Sequence, residues 1–337
     1  MEETSLIEVT QLTRRYGALT AVDNISFGLE RGEVLGFLGP NGAGKSTTMQ
    51  MLTGNLAPSS GRIRINGIDL LDAPQRAKAE IGYLPEQPPL YRELTVDEYL
   101  RYCARLHRVP RTHLAGALAS AKRRCGLSNA GRRLIANLSK GYRQRVGIAQ
   151  AIIHDPTVVI LDEPTVGLDP IQIREIRDLI GELGSNHGVI LSTHILPEVQ
   201  STCDRVQIIN AGRLVFSDRL DALTGHARST SIVAALAHPP DDDTLGALEG
   251  VGRVDHLVDG RIRLHVADGA TDTDSWARNL GTTLTERAAH EGWGLYELTP
   301  EYRSLEQVFV DITSGDTSPL APGTDNAGAT STGEAVA

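Results

Sequence analysis

Cysteine, aromatic residues and long apolar runs are all scarce in this sequence, and each scarcity removes a class of protein. The three cysteines, Cys103, Cys125 and Cys203, are scattered without metal-ligand spacing. That excludes a disulfide framework and leads to an expectation of reduced, mostly buried thiols in a cytoplasmic setting. Aromatic residues make up only 4% of the chain, and none cluster beside the arginines to stack on bases. No apolar stretch approaches the ~18 residues needed to span a bilayer. The start, Met1-Glu2-Glu3, is acidic where a signal peptide is basic. Any transport role therefore requires a membrane-spanning partner. With 337 residues, 40% hydrophobic and 22% charged, the composition is that of a soluble globular chain with room for roughly two domains of ~150 residues.

The net charge of −9 hides a division along the chain. Residues 1–219 carry 26 Lys and Arg against 23 Asp and Glu, net +3, while residues 220–337 carry 7 against 19, net −12. Within the first part, residues 92–145 hold 13 basic and 3 acidic side chains, net +10. A solvated helical face, a nucleic-acid surface and proximity to an anionic leaflet all fit such a cluster, and its sign does not choose among them.

Chemistry enters at Gly39-Pro40-Asn41-Gly42-Ala43-Gly44-Lys45-Ser46-Thr47, directly after the apolar run ending at Leu38. Gly39, Gly42 and Gly44 permit backbone angles closed to other residues and let amide N–H groups converge on an anion. The stretch fits G-x-x-x-x-G-K-[ST], in which Lys45 reaches the β/γ-phosphates, Ser46 ligates Mg²⁺ and the following helix points its positive end at the phosphates. Gly-rich turns also join strands to helices without binding anything. The strand before and the helix after this one supply the context that the phosphate reading demands.

Around this loop, Ile7 to Thr10, Ile25 to Glu30 and Arg62 to Asn66 read as strands, with Asn66-Gly67 as a hairpin turn. From Thr95 to about Asn137 the pattern is helical, opened by the capping box Thr95-Val-Asp-Glu98. Two nearly continuous apolar strands, Thr157 to Leu161 and Gly188 to Ser192, suit a parallel sheet buried on both faces. Ile173, Ile176, Ile180 and Leu183 lie between them at helical spacing. Arg205 to Phe216 reads as two strands about Asn210-Ala-Gly212. After residue 220 come strand-like segments at Ser229 to Leu236, Arg253 to Val258, Arg261 to Val266 and Gly294 to Leu298. Helical segments are expected at Asp243 to Leu248, Asp272 to His290 and Ser304 to Ile312. Their order suggests a small ferredoxin-like α+β domain over 228–312, and residues 313–337, rich in Gly, Ser, Thr, Pro and Ala, are expected to be disordered.

Two further stretches narrow the class. Asn137-Leu-Ser-Lys-Gly-Tyr-Arg-Gln-Arg-Val146 opens a helix on which Tyr142, Val146, Ala149 and Ile153 share a face, with Ser139 in an N-cap position. The apolar strand Thr157 to Leu161 ends in the adjacent carboxylates Asp162-Glu163, an expensive arrangement unless a metal or a proton is handled there.

Over about residues 4–219 the sequence resembles the ATP-binding subunits of ABC transporters. The resemblance rests on ordered motifs: Gly39 to Thr47, Leu138-Ser-Lys-Gly-Tyr142, Val158 to Glu163, Val166-Gly-Leu-Asp169, and His194 after Leu191-Ser-Thr. It implies an α/β P-loop ATPase fold with a helical subdomain near residues 92–145. It also implies roles: Tyr16 stacking on adenine, Asp162 holding Mg²⁺ with Ser46, Glu163 polarising the attacking water, and His194 touching the γ-phosphate. Ser139 and Gly141 would present a helix end to nucleotide bound by a second subunit, and Asp169 would belong to the nucleotide-binding residues. ATP would then join a head-to-tail dimer, a homodimer or a pair with another ATPase subunit.

The sequence departs from the usual family pattern at two places. Where a glutamine ordinarily contacts Mg²⁺ and the membrane partner, Glu86 stands with Gln87 beside it, and either could serve. The signature reads LSKGY in place of LSGGQ, which adds Lys140 and substitutes Tyr142. LSKGYRQRV, the preceding PEQPPLY and the C-terminal extension look like bacterial exporter ATPases of the gliding-motility and drug-resistance groups. The expected function is thus an exporter motor at the cytoplasmic face of the membrane, bound to an integral-membrane permease, with no direct nucleic-acid contact. The alternative is a soluble ABC ATPase acting on DNA or ribosomes. Such proteins usually carry two cassettes or long coiled coils, and the 92 residues from Lys45 to Asn137 leave room only for a small helical subdomain.

Overall fold

The computed structural model describes residues 5–220, 229–267, 273–302 and 309–310. The disordered tail expected over 313–337 lies outside these residues, as does the helix expected at 304–312 apart from 309 and 310. The first part runs β1 (Ile7–Tyr16), β2 (Leu19–Leu29), β3 (Val34–Leu38), α1 (Lys45–Leu52), β4 (Ser60–Ile65), β5 (Ile68–Asp69), α2 (Pro74–Ala79) and β6 (Ile81–Leu84). It continues through α3 (Val96–Leu106), α4 (Leu114–Arg124), α5 (Lys140–Ile152), β7 (Val158–Asp162), α6 (Pro170–Gly184), β8 (Gly188–Thr193), α7 (Leu196–Thr202), β9 (Arg205–Asn210) and β10 (Arg213–Arg219).

Six of these strands form one sheet in the order β10-β9-β3-β8-β7-β6, parallel except for the β10 edge. Its central strands are buried along their whole length, and successive residues serve opposite cores. Leu35, Phe37, Val158, Ile160 and Ile190 pack toward the antiparallel sheet β2-β1-β4-β5. Val34, Leu38, Val159, Leu161, Val189 and Leu191 pack toward the helices. This two-faced burial is what a continuous apolar run specifies in a parallel strand. The strands at Ile7, Ile25 and Arg62 therefore flank β3 in the chain but not in its sheet; they pair with one another. Their mixed burial patterns suit a sheet with one wet face.

α3, α4 and α5 pack together through Leu100, Cys103, Leu118, Cys125, Ile135 and Val146. The capping box at Thr95 is present in full. All three cysteines are buried and unbonded to one another, and burial pushes the Cys125 thiol up to about 12.

Beyond residue 228 the order is β11 (Ser229–Leu236), α8 (Asp242–Gly246), β12 (Val251–His256), β13 (Ile262–Val266), α9 (Thr273–Glu291) and β14 (Leu295–Tyr302). The strands form an antiparallel sheet, β12-β13-β11-β14, over a separate core that includes Ile232, Leu264, Leu284 and Trp293. β14 continues past the expected Leu298 to Tyr302, and Pro300 is accommodated because the strand lies at the sheet edge. Among the described residues no helix is long and apolar enough to cross a membrane.

Candidate functional site

β3, β7 and β8 lie side by side and run parallel, so the loops after Leu38, Asp162 and Thr193 emerge at one edge of the sheet, where open α/β folds bind ligands. The loop after β3 is held down by glycine at two crowded points. A Cβ on Gly39 would lie 2.9 Å from Ile209 Cγ2, and one on Gly44 would lie 2.6 Å from the Ala21 carbonyl. Gly44 also has φ 109° and caps α1, which begins at Lys45. The loop is thus wedged between β2 and β9 while its crest stays accessible: Pro40, Asn41, Gly42 and Ser46 are exposed, Thr47 is half-buried and Ala43 is buried.

Lys45 itself is only 6% exposed. Its ammonium donates to Gly39 O at 2.8 Å and Pro40 O at 3.2 Å, and it stands 3.6 Å from Glu163 Oε1. Glu163 is also buried, and its φ of 50° is unusual for a residue with a side chain. Its amide donates to Ser192 O on β8, which turns the carboxylate toward the loop. His194 Nδ1 meets that carboxylate at 2.9 Å and 3.0 Å. With the proton on Nδ1, the histidine donates to Glu163 and fixes the imidazole tautomer. Strain of this kind at a catalytic candidate is maintained by the packing around it.

One residue earlier, Asp162 is 3% exposed and its Oδ1 has no hydrogen-bond partner. Burial raises its pKa above the usual aspartate value; the neighbouring Ser192 and Ser46 hydroxyls pull it down, the Glu86 charge pushes it up and Lys45 pulls it down. A buried, partnerless carboxylate oxygen with a serine hydroxyl beside it is a hard-oxygen donor set of the kind that suits Mg²⁺. Ser46 and Asp162 therefore fit the ion. Glu86 and Gln87 are both exposed, yet it is Glu86 whose charge acts on Asp162.

Among the described residues, the remaining ones singled out from sequence make no hydrogen bond to the side chains of this cluster. Ser139 caps α5 and accepts from the Tyr142 amide at 3.4 Å. Tyr142 begins the expected face but is 38% exposed, whereas Val146, Ala149 and Ile153 are buried. Gly141 is pressed against the Gln172 side chain, and Lys140 packs over Gly167. Asp169 caps α6, accepting from Gln172 N at 2.9 Å. No hydrogen bond or ion pair among the described residues joins Ser139 or Gly141 to the loop at 39–47. Tyr16, at the end of β1, is 45% exposed, with the Arg14 guanidinium 4.6 Å from its ring centroid.

Sequence reading missed one group. Glu198 on α7 is 1% exposed and accepts from Thr165 Oγ1 at 2.5 Å and Thr193 Oγ1 at 2.9 Å. It ties the segment after Glu163 to the segment carrying His194, so the two catalytic candidates share a common support. The hydroxyls at positions 165 and 193 hint at a buried acceptor only once the strands are placed together.

A family model described as ABC transporter matches residues 22–166. The bacitracin transport ATP-binding protein BcrA of Bacillus licheniformis is 39% identical over 213 residues, covering 63% of this chain and 69% of that one. The linearmycin resistance ATP-binding protein LnrL of Bacillus subtilis (strain 168) is 29% identical over 309 residues, or 91% of this chain and 98% of its own. A solved structure described as the ATP binding subunit of an ABC transporter superposes with a TM-score of 0.61 at 35% identity, covering 66% of this chain and 92% of that one.

Proposed function

The chain belongs to the ABC transporter ATP-binding proteins, an ATPase family, and we propose that it energises export through a separate membrane permease by ATP-driven pairing of two such subunits. The observation that carries this reading is the convergence of Lys45, Asp162, Glu163 and His194 at one sheet edge. In it, Lys45 exchanges its carbonyl and carboxylate partners for the β/γ-phosphates. Glu163, oriented by His194, accepts a proton from the attacking water as the water oxygen bonds to the γ-phosphorus and the bond to ADP breaks. ADP and phosphate leave. Mg²⁺, held by Ser46 and Asp162, would neutralise developing charge on the phosphates.

Ser139 and Gly141 stand at the positive end of α5, equivalent to roughly half a unit charge, and serve the nucleotide on a second chain. That no hydrogen bond among the described residues joins them to this chain's own Lys45 loop supports that role. Tyr16 stacks on the adenine, the P-loop backbone from Gly39 to Thr47 cradles the phosphates, and Asp169 belongs to the nucleotide-binding residues. Glu86 takes the place of the usual glutamine, supported by its field on Asp162.

Residues 4–219 form the ATP-binding domain, with the helical subdomain near 92–145 facing the permease, and residues 228–312 form a ferredoxin-like accessory domain. The strand order β12-β13-β11-β14 with α8 and α9 as crossovers supports the second assignment. The relatives named for bacitracin transport and linearmycin resistance favour export. The protein works at the cytoplasmic face of the membrane. Co-expression with a multi-span membrane protein from the same genomic locus tests this: the chain should co-purify with that protein, whose presence should raise its ATPase rate. Co-purification with ribosomes or DNA instead would overturn it.

A further inference from the structure

α3 separates two kinds of side chain around its axis. Val96, Tyr99, Leu100, Cys103 and Ala104 are buried, while Arg101, Tyr102, Arg105 and Leu106 face outward. Arg101 and Arg105, at i and i+4, share one face of the helix and begin a basic stripe, which exposed Arg108 and Arg111 extend beyond its C-terminus. Arg108 ends the helix at φ 59°, a conformation glycine adopts more readily. Across a groove of about 480 Å³, Lys122 and Arg123 of α4 add to the same surface.

Acidic partners neutralise little of the stripe: Glu98 acts on Arg101 from within the same helix without forming an ion pair with it. The groove's carboxylate, Asp97, is taken by Lys122 at 2.6 Å. Among the described residues no carboxylate comes within ion-pair distance of Arg101, Arg105, Arg108, Arg111 or Arg123. Beside the arginines, Tyr102 is 42% and Leu106 63% exposed. These apolar side chains sit one turn apart, so an apolar edge runs along the basic stripe.

We propose that this face of α3 and α4 binds the headgroup region of an anionic phospholipid leaflet directly, without the permease. The inference rests on the exporter reading only for the membrane's proximity. Arginines there meet lipid phosphates while Tyr102 and Leu106 enter the boundary between headgroups and acyl chains. Nucleic acid fits less well. On the helix, Arg101 and Arg105 are only about 6 Å apart along the axis at 1.5 Å per residue, a short footprint for a duplex, and the whole chain is net negative.

Vesicle sedimentation of the full chain tests the proposal with phosphatidylcholine vesicles and with mixed phosphatidylcholine–phosphatidylglycerol vesicles. Binding should appear only with the anionic vesicles and weaken as salt rises through the range where the Debye length falls below ~10 Å. Changing Arg101, Arg105, Arg108 and Arg111 together to Gln should lower it on the order of a thousandfold. The circular dichroism spectrum and ATPase rate should not change. Leu106→Ala should weaken vesicle binding without changing its salt dependence. Equal sedimentation with both vesicle types at low salt would overturn the proposal, as would full competition by inorganic phosphate or tight, salt-sensitive binding to duplex DNA in preference to vesicles. Failure of the native chain to bind anionic vesicles, with permease stimulation of its ATPase rate intact, would overturn this inference alone.

Discussion

Replacing Asp162 by Asn should stabilise the nucleotide-free protein while removing its response to Mg²⁺. Asp162 is almost fully buried with one carboxylate oxygen lacking a partner, and leaving a buried polar group unsatisfied costs about 1–3 kcal/mol. Asparagine keeps the shape and removes the charge, and its amide can donate to the Ser46 or Ser192 hydroxyl. Because those hydroxyls already offset part of the burial in the native protein, the lower end, about 1 kcal/mol, is the expected gain. For a domain of this size that corresponds to a rise of about 2–4 °C in Tm.

The gain has a pH dependence whose sign follows from the raised pKa. An acid whose pKa is higher folded than unfolded destabilises the fold most when ionised, so the penalty is fully present above the folded pKa. It fades as pH falls through that value and vanishes below the ordinary aspartate value. The advantage of Asp162→Asn should therefore be greatest at neutral pH and shrink on acidification. Thermal unfolding in EDTA at neutral and acidic pH reads this directly, and ATP titration with and without Mg²⁺ reads the functional half. A variant less stable than the native protein at neutral pH, or one whose ATP affinity still rises with Mg²⁺, would refute the reasoning.

At the first departure from the family pattern, Glu86→Ala should lower permease-stimulated ATPase activity more than Gln87→Ala, because the Glu86 charge acts on Asp162; an equal or larger loss at Gln87 in the same assay would reverse the assignment. Gly141→Ala should reduce steady-state hydrolysis while sparing ATP binding, and adding Gln172→Ala to clear the space a new Cβ needs should not restore the rate if Gly141 serves a second chain. Recovery in the double variant would assign Gly141 to packing within its own subunit.

The parallel sheet and the loop before α1 were legible because their sequence signals are local: continuous apolar runs for strands buried on both faces, and glycines where crowding or positive φ leaves no room for a Cβ. The hairpin at Asn66-Gly67 was equally plain, with both residues at positive φ. The partition of strands between two sheets was not, since β1 and β3 are close in the chain and only their burial patterns separate them. Asp162 and Glu163 advertised themselves as adjacent carboxylates after an apolar strand, but their division of labour emerges in space. One oxygen of Asp162 is left without a partner, whereas Glu163 turns at positive φ to meet Lys45 and His194. Glu198 was invisible for a related reason: its partners Thr165 and Thr193 lie 33 and 5 residues away, and no local pattern links the three.

Light scattering on size-exclusion fractions of Glu163→Gln in Mg-ATP tests the central claim, that Glu163 activates water in a site completed by a second chain. The variant should bind ATP, hydrolyse it about 10²–10⁴-fold more slowly, the usual range for losing a general base, and elute as a dimer that returns to monomer when ATP is removed. Lys45→Ala, which lacks the phosphate anchor, should stay monomeric under the same conditions. A Glu163→Gln protein that remains monomeric with ATP bound and turns it over at the native rate would contradict the account.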